Sequence, residues 1–239
     1  SRRLDVGGSG YFYETCAVVG FDRDRIYAHR PNTDAGILIV NAFVVEFNSS
    51  KVRVQHGYDW FSGTFVNKTI TALTTVSKSV VLNTSWGDGT SQGRYHFIRN
   101  KITSTTNLEI YRGVISSYIN YYYFVFEDVG NNFNVQVVDG SYASTNSYQN
   151  FTRKSWHRMF MITSHYTDAS DSGDPQRSSC RTQLQSPHGF YSVKLDASGV
   201  TIFYSVQIIE FIDTNRNRVQ HNPANVTTLS NSLTTYSGT

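Results

Sequence analysis

The sequence predicts an all-β protein made of tandem antiparallel β-sandwich modules of about 80 residues, two complete and one partial. A refrain carries this prediction: FVVEF at residues 43–47 returns as FVFE at 124–127 and as QIIEF at 207–211. The glutamates of the refrain lie 81 and then 83 residues apart. Each refrain closes a run of aromatic and β-branched residues, and no window shows a 3.6-residue apolar period. One β module is therefore used about three times.

Composition supports a sheet with a polar solvent face and argues against two classes of partner. Aromatic residues make up 14% and charged residues only 16%, which is too aromatic for disorder and suits a hydroxyl-rich β surface. The net charge of +3 is small and the basic residues are dispersed, so no nucleic-acid groove is expected. No signal peptide opens the chain and no apolar run is long enough to span a bilayer, so no membrane partner is expected.

The first copy is expected at residues 11–47, after a flexible N-terminal arm at 1–10 that contains the sequence GGSG. It is a partial copy, and only the sequence at its end recurs in the two later copies. The β-rich segments of this copy predict short strands at 11–13, 17–19 and 25–27, followed by a long closing strand at 37–47.

The second and third copies, at residues 50–128 and 133–213, open and proceed alike. Each opens on an alternating strand that is expected to stop at glycine, VRVQHG at 52–57 and VQVVDG at 135–140. The polar segment 214–239 is expected to form an extended C-terminal arm or a loose tail. Further segments match in order: 78–82 with 158–162, 99–104 with 181–186, and 108–110 with 193–195.

Two residue types recur at the repeat spacing. The glutamates Glu46, Glu127 and Glu210 stand one per copy at a strand end, so we expect them to accept backbone amides or to pair with arginine. Cys16 and Cys180 are 164 residues apart and occupy the same column of the first and third copies. They are expected as buried thiols or, if equivalent strands meet, as a disulfide.

No catalytic residue, metal site or cofactor is predicted. The seven histidines show neither HExxH nor HxH spacing, and the only GSG lies in the N-terminal arm rather than at a strand-to-helix turn. Three acidic residues, Asp168, Asp171 and Asp174, lack the spacing of an EF-hand loop. They are expected in a solvated turn, and the chain is not expected to be an enzyme.

Aromatic residues beside polar ones are the candidate sugar-binding positions. An aromatic face stacks on the C–H groups of a sugar while polar neighbours hydrogen-bond its hydroxyls. The alternative is that the same rings fill sandwich ends or a subunit interface. The candidates lie in expected loops or strand ends, and they are Tyr58, Asp59, Trp60, Trp86, Asp88, Trp156, His157 and Tyr166.

The complete copies resemble modules of tailed-bacteriophage virion proteins. The resemblance rests on a strand that starts at Ile70, on SKSVVL at 77–82 and ITSTTNL at 102–108, and on an aromatic closing strand that ends near glutamate. More distantly, the layout is similar to H-type lectin domains, six-stranded antiparallel sandwiches that bind sugars as trimers. The resemblance covers about residues 50–213 and, within 11–47, only the ending.

This resemblance implies a non-enzymatic structural component of a tailed-phage particle: a capsid decoration, a fibre or a tail-associated protein on the extracellular surface of the virion. Its partners would be other virion proteins. The lectin likeness implies an alternative function, an adhesin that recognises host-surface glycans. The closing strands carry Tyr122, Tyr123 and Tyr204 where those modules usually have tryptophan, so no sugar-binding residue is transferred.

The partial first copy predicts assembly. Its closing strand is strongly apolar between Ile37 and Val45, and an uncovered strand of that kind invites association. We expect it to be covered by the second copy or by a neighbouring subunit, in a homo-oligomer, with a trimer as the favoured state. The two polar arms would then order on assembly.

Overall fold

The structure is a computed structural model in which 14 strands can be described. It describes residues 18–22, 25–29, 44–87, 97–113, 118–152, 154–168, 180–194, 199–213 and 219, with the backbone alone at 18–22, 25–29, 86 and 87. Every strand pair in this part of the chain is antiparallel, which confirms the predicted all-β class. The strands are β1 (Val18–Asp22), β2 (Arg25–His29), β3 (Val52–Phe61), β4 (Phe65–Thr69), β5 (Ser79–Gly87), β6 (Arg99–Ser104), β7 (Asn107–Tyr111), β8 (Ile119–Asp128), β9 (Phe133–Tyr142), β10 (Asn146–Asn150), β11 (Met159–Thr167), β12 (Cys180–Ser186), β13 (Gly189–Lys194) and β14 (Ile202–Phe211).

Two six-stranded sandwiches share one topology. Module two (β3–β8) has the sheets β3-β8-β5 and β4-β7-β6, and module three (β9–β14) has β9-β14-β11 and β10-β13-β12. In each module the last strand lies between the first and the third, and the fifth lies between the second and the fourth. A single turn of 3₁₀ helix precedes each third strand, at Val76–Lys78 and at Trp156–Arg158. The sandwich repeat predicted from the refrain is therefore confirmed.

Alternation along the strands builds the core of each module. Side chains at every second position of a strand share one face, and on β8 Ile119, Tyr121, Tyr123 and Val125 turn inward. The core of module two also contains Phe61, Ile70, Leu73, Val81, Ile98, Ile102, Leu108 and Ile110. The core of module three contains Tyr142, Phe151, Met159, Leu184, Phe190, Ile202, Tyr204, Val206 and Ile208.

The predicted strand stops at Gly57 and Gly140 are wrong. Both β3 and β9 continue past the glycine, to Phe61 and Tyr142 respectively. The ring of Tyr123 covers Gly57 and that of Tyr204 covers Gly140, so closely that a Cβ atom would collide with the ring. The glycines therefore make room for a cross-strand tyrosine inside the sheet.

Two of the predicted segment pairings are shifted in register. Val54 faces Phe126 as Val135 faces Ile209, so residue 54 rather than 52 corresponds to 135. The equivalent of Leu108 is Phe190 rather than Val193, because the hairpins close at Ser104–Asn107 and at Ser186–Gly189. Apolar residues recur at every second position along a strand, so the first match, which is shifted by two, is equally good in sequence; the second match is shifted by three. The matches 78–82 with 158–162 and 99–104 with 181–186 are confirmed.

The first copy contributes a hairpin, β1–β2, which overlaps the predicted strands at 17–19 and 25–27. Strand β2 ends 17 residues before Glu46, and β7 and β13 each end 16 residues before the glutamate of their own refrain. This spacing makes β1 and β2 the equivalents of the fourth and fifth strands of a module. The predicted closing strand at 37–47 is wrong over 44–47, which forms no strand, and 37–43 lie outside the described residues, as does the predicted strand at 11–13.

The edge of module two that is formed by β5 and β6 packs against the outer face of the sheet β9-β14-β11 of module three. Strand β6 contacts β11 and β14, while β5 and the turn Val76–Lys78 contact β9. Strands β5 and β6 are edge strands, and edge strands leave main-chain groups unpaired. The amide of Gln207 completes the β5 edge: it accepts from Val81 N–H and donates to Val81 C=O, both at 2.7 Å. The hydroxyl of Ser164 does the same for Asn100, at 3.1 and 3.3 Å.

The first copy meets module two through the same elements. Strand β1, the equivalent of β6, contacts β5 and β8, which are the equivalents of β11 and β14. The chain is therefore a series in which each module places an edge on the outer face of the next.

Candidate functional site

The outer face of the sheet β3-β8-β5 is the most aromatic exposed surface among the described residues. Alternation on β3 and β8 brings these side chains to the face that points away from the core of module two. We call the β3 part, Val54, His56, Tyr58 and Trp60, the β3 strip. The β8 part consists of Asn120, Tyr122, Phe124 and Phe126.

Ring contacts order this face along its length. His56 lies 6.0 Å from Phe124, and Tyr58 lies 4.9 Å from Tyr122, between ring centroids. The Tyr58 hydroxyl donates to Asn120 Oδ1 at 2.8 Å, which holds the ring upright beside a buried amide. At the far end Trp60 meets Tyr118 edge-on at 4.8 Å. Aromatic pairs of this kind hold large apolar surfaces in fixed positions at low entropic cost.

Val54, at one end of the β3 strip, is exposed where its counterpart in module three is covered, whereas Asp139 and Ser141, the counterparts of Tyr58 and Trp60, are exposed as well. Val54 is 43% exposed, whereas its equivalent Val135 is 8% exposed beneath the edge of module two. Trp60 is 53% exposed. An exposed apolar patch on a sheet face marks a surface for association. The strip is therefore the best candidate for an interaction surface in the described part of the chain.

Asp59 does not share this surface with its two aromatic neighbours. It faces Tyr121 across the strands, pairs with Lys68 and accepts the backbone N–H of Trp60 at 2.8 Å. Burial alone would raise the pKa of Asp59, but the hydrogen bonds from Lys68 and the Trp60 amide hold that pKa below its ordinary value. Its charge is thus used within the module, and the strip has no acidic side chain from Asp59.

The remaining candidate residues lie in separate places. The backbone of Trp86 lies opposite Asn120 in β5, on the other side of β8 from Trp60, and Asp88 lies outside the described residues. Trp156 packs against the core of module three, and His157, next to it, is exposed. Tyr166 stacks on Phe203 at 4.9 Å in the contact between the modules. The structure thus brings together Tyr58, Trp60 and the backbone of Trp86, and separates the others from them.

Two of the three recurring glutamates have the predicted structural role. Glu127 is buried, pairs with Arg53 and accepts the Thr74 backbone N–H just before the 3₁₀ turn of module two. Burial would raise the pKa of Glu127, but the bonds from Thr74 and Arg53 outweigh it and lower that pKa. Glu210 accepts the Ser155 N–H at 2.8 Å, at the equivalent turn. Glu46 is exposed and lies in no strand.

A pair of buried cations was missed by the sequence reasoning. Arg112 and Lys194 follow or end the fifth strand of their modules, and both are 2% exposed. Arg112 donates to the carbonyls of Ser62 and Gly63, at 2.6 and 2.7 Å. Lys194 donates to Ala143 and Val200 at 2.6 and 2.7 Å. A basic residue 15 or 16 positions before the refrain glutamate was the available signal, and the shifted pairing of 108–110 with 193–195 hid it.

No metal centre emerges from the described residues: no three His, Cys, Asp or Glu side chains among them are close enough to hold an ion. Asp168 accepts the Thr201 N–H at 2.9 Å, while Asp171 and Asp174 lie outside the described part. Cys180 is a free, half-buried thiol whose pKa is raised to about 11 by burial, and Cys16 lies outside the described residues. None of the described segments is a helix of the length and apolarity that crossing a bilayer requires.

Comparisons of this chain with known protein families, with curated proteins and with solved structures give no match.

Proposed function

We propose that this protein is a non-enzymatic structural component of a tailed-phage particle, a capsid decoration, fibre or tail-associated protein at the virion surface, that acts through protein–protein contacts. The observation that carries the proposal is the β3 strip. Val54 of the strip stands at the position where module three buries Val135 beneath the edge of module two. An exposed strip of apolar and aromatic side chains that begins at such a position is suited to another polypeptide as its partner.

The serial packing supports the same proposal. An edge-on-face contact that recurs along the chain leaves different surfaces at the two ends of the series, and such modules extend one another like the repeats of a solenoid. The partners would be other virion proteins and further copies of the chain.

The experiment is mass spectrometry of purified particles, combined with cryo-EM placement of the chain. Incorporation should fall when Val54→Asp places a charge on the strip, because burial of that carboxylate in an interface is costly. The matched control is Val129→Asp, since Val129 is 41% exposed but lies off the strip. Absence of the wild-type chain from the particle refutes the proposal, as does equal incorporation of the two variants.

A second candidate function, an adhesin for host-surface glycans, is favoured by one observation. Tyr58 and Trp60 expose their rings on one face of β3, and the Tyr58 hydroxyl, which donates to the buried Asn120 amide, adds a polar group to this stacking surface. A glycan array probed with the oligomeric protein tests it. Trp60→Ala should abolish binding, and Tyr148→Ser, which removes an equally exposed ring from module three, should preserve it. No binding by the wild type refutes this candidate.

A further inference from the structure

One position on the outer face of module two is left exposed. On module three, β6 lies over β11 and β14, while the turn Val76–Lys78 and β5 lie over β9. On module two, β1 takes the place of β6. The place that the turn and β5 would take is the Val54 end of the β3 strip, where Val54 is exposed.

The filled position on module three shows what kind of segment fits the exposed one. Val80 packs against Phe133 and Val135 in an apolar cluster. Lys78 Nζ donates to Asn131 Oδ1 at 2.7 Å and to the Phe133 carbonyl at 3.0 Å. The matching occupant is therefore a short turn followed by a strand, with a branched apolar side chain at the place of Val80.

The C-terminal segment of this chain carries such a sequence. TTLSNSL at residues 227–233 repeats TTVSKSV at 74–80, with four of seven positions identical and both apolar positions retained. A few residues earlier, RVQH at 218–221 repeats the RVQH of β3 at 53–56. The Val219 N–H donates to the His157 carbonyl at 2.7 Å, so Val219 meets the turn of module three as β9 meets the turn of module two. Residues 218–233 thus repeat in sequence, at closer spacing, the opening of module two and the segment that contains its turn and the start of β5.

We propose that residues 227–233 of a second copy of this chain dock on the β3 strip, with Leu233 against Val54 as Val80 lies against Val135. The C-terminal segment of one copy and the β1–β2 hairpin of the next would then form parts of one sandwich. The two joined surfaces differ, so the contact is head-to-tail and produces a closed ring or a filament. The segment adds a strand element in trans, a known mode of peptide recognition. This inference rests on the proposed function and names its partner.

Module three of a second copy does not fit the same place. Its edge strands β11 and β12 are the equivalents of β5 and β6. With β11 on the strip, β12 would fall where β1 already contacts β5 and β8. A separate segment such as 227–233 carries no equivalent of β12 and so avoids this overlap with β1.

Disulfide trapping between two variants of this chain tests the contact. Val54→Cys and Leu233→Cys are made in separate chains, each with Cys16→Ser and Cys180→Ser, then mixed and mildly oxidised. We expect a disulfide-linked dimer from this mixture. The matched mixture of Val129→Cys and Leu233→Cys should give at least tenfold less. Equal yields from the two mixtures overturn the inference.

The doubly substituted chain, Val54→Cys with Leu233→Cys, distinguishes contacts within a chain from those between chains. A link that forms only within one chain at every concentration overturns the proposal, as does the absence of any link. Sedimentation gives an independent readout: removal of residues 226–239 should abolish concentration-dependent association, and association that persists overturns the inference.

The outcomes for the two proposals differ. If trapping fails while the chain is found in virions, the docking segment is wrong and the structural function stands. If trapping succeeds but particles lack the chain, head-to-tail assembly stands and the phage assignment is wrong.

Discussion

Replacement of Gln207 by leucine is the sharpest perturbation of the packing between modules. Gln207 and Val81 are both buried, 126 residues apart in sequence, and the two hydrogen bonds between them measure 2.7 Å. Gln207→Leu keeps the side-chain size but leaves the Val81 N–H and C=O without partners. Each of the two orphaned groups costs about 2 kcal/mol, the middle of the usual range. The new apolar burial returns about 1–2 kcal/mol, so the net destabilisation is about 2–3 kcal/mol.

Urea denaturation followed by tryptophan fluorescence measures this loss. With a slope of about 1–3 kcal/mol per molar, the midpoint should fall by about 1 M. Hydrogen exchange adds a local readout, because the Val81 amide should lose protection first. The control is Gln136→Leu on the adjacent strand, whose side chain accepts only the exposed Thr152 N–H at 3.2 Å. Equal effects of the two substitutions, or unchanged protection at Val81, would refute the reasoning.

Three further predictions concern single modules. The pKa of Glu127 is depressed in the folded protein, so its contribution to the free energy of unfolding is present above about pH 4.3 and is lost as pH falls through the folded value. Glu127→Gln should therefore destabilise the protein at pH 7 and flatten the acid side of the stability curve. Urea midpoints at pH 7 and pH 3 measure this, with Glu109→Gln as the control. Arg112→Met should lower the free energy of unfolding by about 3–5 kcal/mol because it leaves two carbonyls without their donor. Arg112→Lys should lower it by only about 1 kcal/mol because a lysine, Lys194, occupies the equivalent place in module three. Equal losses for the two variants in a denaturation series would contradict this. The pKa of Cys180 is raised to about 11, so its thiol should react with a disulfide reagent at pH 8 about a hundredfold more slowly than a free thiol, as measured in a Cys16→Ser variant. A rate near that of the unfolded chain would contradict this, because it would show that the thiol is accessible.

The refrain was sufficient to predict the fold class and the place of two structural glutamates. Glu127 and Glu210 stand at fixed distances from strand ends, so each one reaches the turn before the third strand of its own module. Contacts within one module follow from the order of its strands, and that order is the same in each copy. The sequence repeat was therefore enough to predict the contacts of these two glutamates.

Contacts between modules could not be predicted in the same way. Gln207 has Phe124 as its counterpart in module two, so nothing in the repeat marks it as a partner of Val81. The candidate site was partly predicted, since Tyr58 and Trp60 lie on the strip. The extension of β3 past Gly57 was missed, because the cross-strand ring of Tyr123 that requires a glycine there is 66 residues away in sequence.

Cryo-EM of the assembled full-length protein is the most direct measurement of the central claim, that the modules act in series through edge-on-face contacts between polypeptides. The account predicts density for a turn and strand over Val54, arranged as Val76–Lys78 and β5 lie over the start of β9. A map in which Val54 faces solvent in every copy would contradict it.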